Sequence, residues 1–183
     1  IDVARLLEDA GAPPGTVNVI PGNRETVAAM LTTPGIDMFT LTGSRVAGEA
    51  IVRGAGLRRV TLELGGNSPN IVHRDAPLRS AAVACVRGGF ANTGQSCNSV
   101  QRILVHREVA DPFVQAVVEL AGGLKVGDPL DPDIDVGTLV DEDAARRVES
   151  WIDEARECGA HVVAGGQRSG AQLTPTVVLD APL

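Results

Sequence analysis

Aromatic side chains are nearly missing from this 183-residue chain, which has no tyrosine, one tryptophan and three phenylalanines. Its interior must therefore be assembled from Ala, Val, Leu and Ile. Cysteine is scarce too. Cys85, Cys97 and Cys158 form an odd, sparse set, which excludes a disulfide framework and points to free thiols in a reducing, cytoplasmic compartment. No two share CxxC spacing, and His73, His106 and His161 are scattered, so no metal site is expected. Positive charge is short as well: 16 Lys and Arg stand against 23 Asp and Glu, a net charge of −7. An acidic chain lacks the cationic face that a phosphate backbone needs, so nucleic acid is not an expected partner. No apolar run reaches the span of a bilayer, so a membrane is not expected either.

What remains is ordinary globular material. The 44% hydrophobic and 21% charged fractions are too apolar for disorder, and 21 Gly with 11 Pro predict many tight turns. The length suits one domain or two small ones. The first residues already follow a helical pattern, with Val3, Leu6 and Leu7 against Arg5, Glu8 and Asp9, as expected of an excerpt from a longer protein.

Along the first third, helices alternate with short apolar runs. Residues 1–10 read as helix, 17–20 as strand, 25–31 as helix, 38–41 as strand, 44–53 as helix and 59–64 as strand. That alternation predicts parallel βαβ units, with the binding crevice at the carboxyl ends of the strands. The glycines at 65 and 66 mark a boundary. Beyond it, 70–73 and 101–106 read as strands and 78–90, 108–120 and 142–157 as helices, the last with Val148, Trp151, Ile152 and Ala155 inward. Residues 126–137 read as loop, and 161–164 and 175–179 as closing strands.

Three places could carry chemistry. Cys97 follows a Gly-containing turn, Gly94-Gln95-Ser96, which can hold its sulfur exposed and aim its backbone N–H at a bound carbonyl. The bland alternative is an inert, buried thiol. Glu63 lies at a strand end beside Leu62 and Leu64. Burial there would raise its pKa toward the range of a general base; the plain alternative is an exposed strand-end Glu beside a turn. The glycines after it admit close approach of a backbone or ligand. Gly43 and Ser44 join a strand to a helix, which suits a phosphate at the helix start. A plain N-cap serine explains the same pattern.

Taken together, Leu41-Thr42-Gly43-Ser44, Leu62-Glu63-Leu64-Gly65-Gly66-Asn67-Ser68-Pro69 and Gly94-Gln95-Ser96-Cys97, preceded by AGAPPGTVNVIPG at 10–22, resemble the NAD(P)-dependent aldehyde dehydrogenase superfamily over essentially the whole chain. The resemblance implies an α/β fold. Residues 1–65 would be the C-terminal part of a Rossmann-like, parallel-sheet dinucleotide-binding domain, and 66–183 part of an α/β catalytic domain bearing the nucleophile. It implies Cys97 as nucleophile and Glu63 as the base that hydrolyses its thioester. Gly43 and Ser44 would contact the pyrophosphate of NAD or NADP, and the Leu64 backbone would face the nicotinamide. It also implies a small-molecule aldehyde as substrate and a homo-oligomer, dimer or tetramer.

The chain departs from the family pattern in several places. The family's oxyanion asparagine and its lysine-containing ribose segment are expected upstream of Ile1, and its later Glu-Glu-x-Phe-Gly-Pro segment beyond Leu183. The glycine-rich stretch after Pro21-Gly22 is reduced to Asn23-Arg24-Glu25, and Asn67 stands where many members carry lysine. Three rivals stand beside hydrolytic aldehyde oxidation. A member that passes its acyl group to coenzyme A is disfavoured by Glu63. A cysteine hydrolase would need a histidine base. An inert fragment would have only a structural or binding role.

Overall fold

The computed structural model describes residues 1–181, which fall into two compact units, 1–64 and 65–181. The first unit contains α1 (Asp2–Asp9), α2 (Arg24–Thr32), β1 (Met38–Gly43), α3 (Arg45–Ala55) and β2 (Arg59–Leu64). The two strands run parallel, with Phe39 opposite Val60, Leu41 opposite Leu62 and Gly43 opposite Leu64. This is the βαβ unit that the apolar alternation predicts. Its small core is Phe39, Ile51 and Ala55, packed on Leu31, Ile36, Leu41 and Val60. Gly48 lets α3 lie close on β2, because a Cβ there would come within 3.0 Å of Leu64 Cδ2. Arg58 closes the far end of α3. Its Nε donates to the Ala55 carbonyl at 2.8 Å and its Nη2 to Gly54 at 2.9 Å, and its guanidinium lies 4.8 Å from the Phe39 ring centroid. Cations over a helix C-terminus and over an aromatic face are both favourable placements.

The second unit opens with β3 (Ser68–Val72), α4 (Leu78–Phe90), a 3-10 turn (Ala91–Gly94) and β4 (Val100–Val105). β3 and β4 are parallel, with a register shift between Ser68 and Pro69. A proline cannot donate to the ladder, so an irregularity at that point is expected. A 3-10 turn (Arg107–Val109), α5 (Ala110–Gly122) and α6 (Glu142–Glu157) follow. After them come β5 (His161–Ala164), β6 (Arg168–Ser169), β7 (Gln172–Leu173) and β8 (Val177–Leu179). β5 pairs antiparallel with β8, and β6 with β7. The core is Val72, Ala82, Cys85, Val86, Phe113 and Val117, with Phe113 wholly enclosed. Among the described residues no helix is long and apolar enough to cross a membrane.

Several expectations are corrected. Residues 17–20 form no strand; Val17, Val19 and Ile20 are exposed, and an apolar run without a partner strand has nothing to pair with. The β6–β7 hairpin, two residues a side, is too short for any periodicity to announce. Trp151 does not point inward: α6 buries Ala144, Ala145 and Ile152, while the Trp151 ring lies outside, 5.7 Å from the Arg147 guanidinium.

Candidate functional site

In the first unit, the predicted residues gather at the carboxyl end of the parallel pair. Thr42 is opposite Glu63 and Gly43 opposite Leu64, and Ser44 follows directly. Ser44 is the N-cap of α3: its Oγ accepts from the Ala47 N–H at 3.2 Å. The hydroxyl proton remains free to donate. The first turn of α3 holds no acidic side chain, and Arg45 opens it. The helix end therefore keeps its positive character. Glu63 is exposed, on the face of β2 opposite Leu62 and Leu64. The reading of a buried carboxylate fails here because strand alternation, inward at 62 and 64, turns 61 and 63 outward.

In the second unit, Cys97 is exposed, Cys85 lies in the core and Cys158 is exposed at the end of α6. The Asn70 amide donates to Cys85 Sγ at 3.4 Å, which gives that thiol a purely internal setting. The segment before Cys97 is unusual. Asn92, Thr93 and Gly94 have φ of 51°, 56° and 71°, three successive left-handed residues. Asparagine and glycine visit that region readily; a β-branched threonine does not. The Cys97 turn is closed by the Ser99 N–H donating to Ser96 O at 3.1 Å. Ser99 is itself buried, and its Oγ is shared between the carbonyls of Gly88 at 3.2 Å and Gly89 at 3.1 Å at the end of α4. The close approach expected of the glycine pair is realised at Gly66, where a Cβ would overlap the Cys97 carbonyl oxygen.

One residue quoted in the motif without a role has a definite one. The Gln95 side chain reaches residues 138–140: its Nε2 donates to Thr138 O at 3.2 Å, and the Val140 N–H donates to its Oε1 at 2.9 Å. Partners more than forty residues away leave no local sequence signal. An apolar cavity of about 220 Å³ in this unit, lined by residues such as Val86, Phe90, Phe113 and Val177, contains none of the predicted site residues. No group of three His, Cys, Asp or Glu among the described residues is placed to hold a metal ion.

A profile of the aldehyde dehydrogenase family matches residues 1–182. The 3-sulfolactaldehyde dehydrogenase of Priestia aryabhattai is 43% identical over 181 residues, which are 98% of this chain and 38% of that protein. Two solved structures superpose closely. One is the NADP-dependent glyceraldehyde-3-phosphate dehydrogenase of Bacillus halodurans complexed with NADP, with a TM-score of 0.91 and 39% identity, covering 97% of this chain and 37% of that one. The other is the betaine aldehyde dehydrogenase of Staphylococcus aureus in complex with NAD+, with a TM-score of 0.94 and 31% identity, covering 99% and 38%. The chain thus spans little more than a third of these relatives.

Proposed function

The chain belongs to the aldehyde dehydrogenase family, and from that premise we propose that it carries the nucleophile, the base and part of the cofactor platform for NAD(P)-dependent oxidation of an aldehyde to a carboxylic acid. The observation that supports this reading is the exposed Cys97 on a turn fixed at both ends, by Gln95 before it and Ser99 after it. As a thiolate, Cys97 attacks the aldehyde carbon. A C–S bond forms, the carbonyl π pair moves to oxygen, and the Cys97 backbone N–H donates to that oxyanion. When bound, the nicotinamide supplies the hydride acceptor. Cys97 is then left as a thioester. Glu63 takes a proton from water, the resulting hydroxide adds to the acyl carbon, the C–S bond breaks, and acid and thiolate are released.

Gly43, Ser44 and Leu64 suit a dinucleotide. The helix start is electropositive, the Ser44 hydroxyl keeps a donor, and Gly43 leaves the strand end bare. The named relatives act on 3-sulfolactaldehyde, glyceraldehyde-3-phosphate and betaine aldehyde, so a small polar aldehyde is the substrate class. An exposed reactive thiol suits a reducing, cytoplasmic setting.

The test is rapid-mixing kinetics on the full-length protein. Cys97→Ala abolishes formation of reduced cofactor. Glu63→Gln preserves a first-turnover burst of reduced cofactor but slows acid release by at least about a hundredfold. Turnover that survives Cys97→Ala overturns the nucleophile. Steady turnover without a burst in Glu63→Gln, or acyl transfer to coenzyme A in place of hydrolysis, removes Glu63 from the role of base.

A further inference from the structure

We propose that Gln95 is the positioning residue of the nucleophile, holding the strained turn before Cys97 by pairing with the backbone of residues 138–140; the inference rests on Cys97 being that nucleophile. The geometry is specific. One amide group meets a backbone donor and a backbone acceptor two residues apart, Val140 N–H at 2.9 Å and Thr138 O at 3.2 Å. Because a backbone N–H can only donate, Oε1 must face Val140, which leaves Nε2 for Thr138 and fixes the orientation of the amide. The Gln95 backbone is held as well, its N–H donating to Asn92 O at 3.0 Å and its O accepting from Asn92 Nδ2 at 3.3 Å.

The far side of the clamp is not loose chain. The Leu139 N–H donates to Ala171 O at 2.9 Å, and Asp141, directly after Val140, caps α6. The near side carries strain. Residues 92–94 are consecutively left-handed, and Thr93 persists in that conformation only if its surroundings over-determine it. Gln95 is the next residue, and Cys97 lies two further on. Releasing the amide lets residues 92–94 relax toward ordinary φ, which rotates the Cys97 turn and misplaces its sulfur and N–H. The Gln95 side chain is exposed, so its two bonds contribute little to burial or core packing. Their effect is local to the turn.

The experiment uses the full-length protein with Gln95→Met, which keeps length and loses both bonds, and Gln95→Glu, which keeps the acceptor for Val140 but turns a second oxygen toward Thr138. Alkylation of Cys97 by iodoacetamide is followed with exposed Cys158 as internal reference, alongside kcat and KM. Gln95→Met is expected to lower kcat and the Cys97 alkylation rate by about tenfold to a hundredfold. Gln95→Glu should be intermediate, with Cys158 labelling and cofactor KM unchanged in both. Adding Thr93→Gly to Gln95→Met should restore part of the Cys97 rate, since glycine holds a left-handed φ without strain. Unchanged Cys97 labelling and kcat in Gln95→Met overturn the proposal, as does a loss shared equally by Cys158. Where Gln95→Met does not fold, Gln95→Glu decides: a slower Cys97 rate with Cys158 unchanged supports the clamp, and an unchanged Cys97 rate overturns it. Cys97→Ala separates the premise, since activity surviving it sinks the nucleophile itself.

Discussion

Ser44 performs one visible task and is assigned another, and the two can be separated. Its oxygen caps α3 through Ala47, so Ser44→Ala removes a cap whose loss costs about 1 kcal/mol. Aspartate caps equally well but places a negative charge where a pyrophosphate would lie. Ser44→Asp is therefore expected to retain the thermal stability of the native protein while weakening NAD(P) affinity by at least about tenfold, measured by titration calorimetry; equal affinity would leave Ser44 as a cap only. The cap was legible, because a serine between an apolar run and a helical pattern has few other uses. The exposure of Glu63 was open to the same reasoning once strict alternation put Leu62 and Leu64 on one face. The task of Gln95 was not, since its partners at 138 and 140 come into reach only after the chain has folded back through α4, β4 and α5.

At the scale of elements, legibility followed periodicity and length. The helices Leu78–Phe90 and Glu142–Glu157 were read with their observed bounds, because several turns of amphipathic spacing average out local noise. Residues 17–20 misled because β-branched composition reports fitness for a pleated surface, not the presence of a neighbour. Trp151 misleads because apolarity alone does not fix burial: α6 packs through Ala144, Ala145 and Ile152. That helix also yields a prediction. Asp141 Oδ1 accepts from the Ala144 N–H at 2.7 Å, a half-buried cap. Asp141→Ala should lower stability by about 0.5–2 kcal/mol, read from urea denaturation, whereas Asp141→Asn should lose only a fraction of that. Equal losses in both would assign the effect to charge near the helix start and not to the hydrogen bond.

Across the whole molecule, burial is uneven. α1 and α2 bury no residue, and the first unit encloses little more than Phe39, Gly48, Ile51 and Ala55. The second unit encloses Val72, Ala82, Cys85, Val86, Phe113, Val117, Ala121 and others. Protection should follow that inequality. In hydrogen exchange of the 183-residue chain, amides of α4 and α5 are expected to exchange last and those of α1 and residues 10–23 almost at once. Uniform protection across both units would contradict it.

The single indole has a practical consequence. With no tyrosine present and Trp151 turned outward on α6 beneath Arg147, near-ultraviolet emission comes from one ring that is already wet in the native state. Its spectrum will shift little when the chain melts, and the first unit is optically dark. Fluorescence thermograms will therefore miss the loss of the βαβ half altogether, and an indole introduced beside Phe39 would make that half visible.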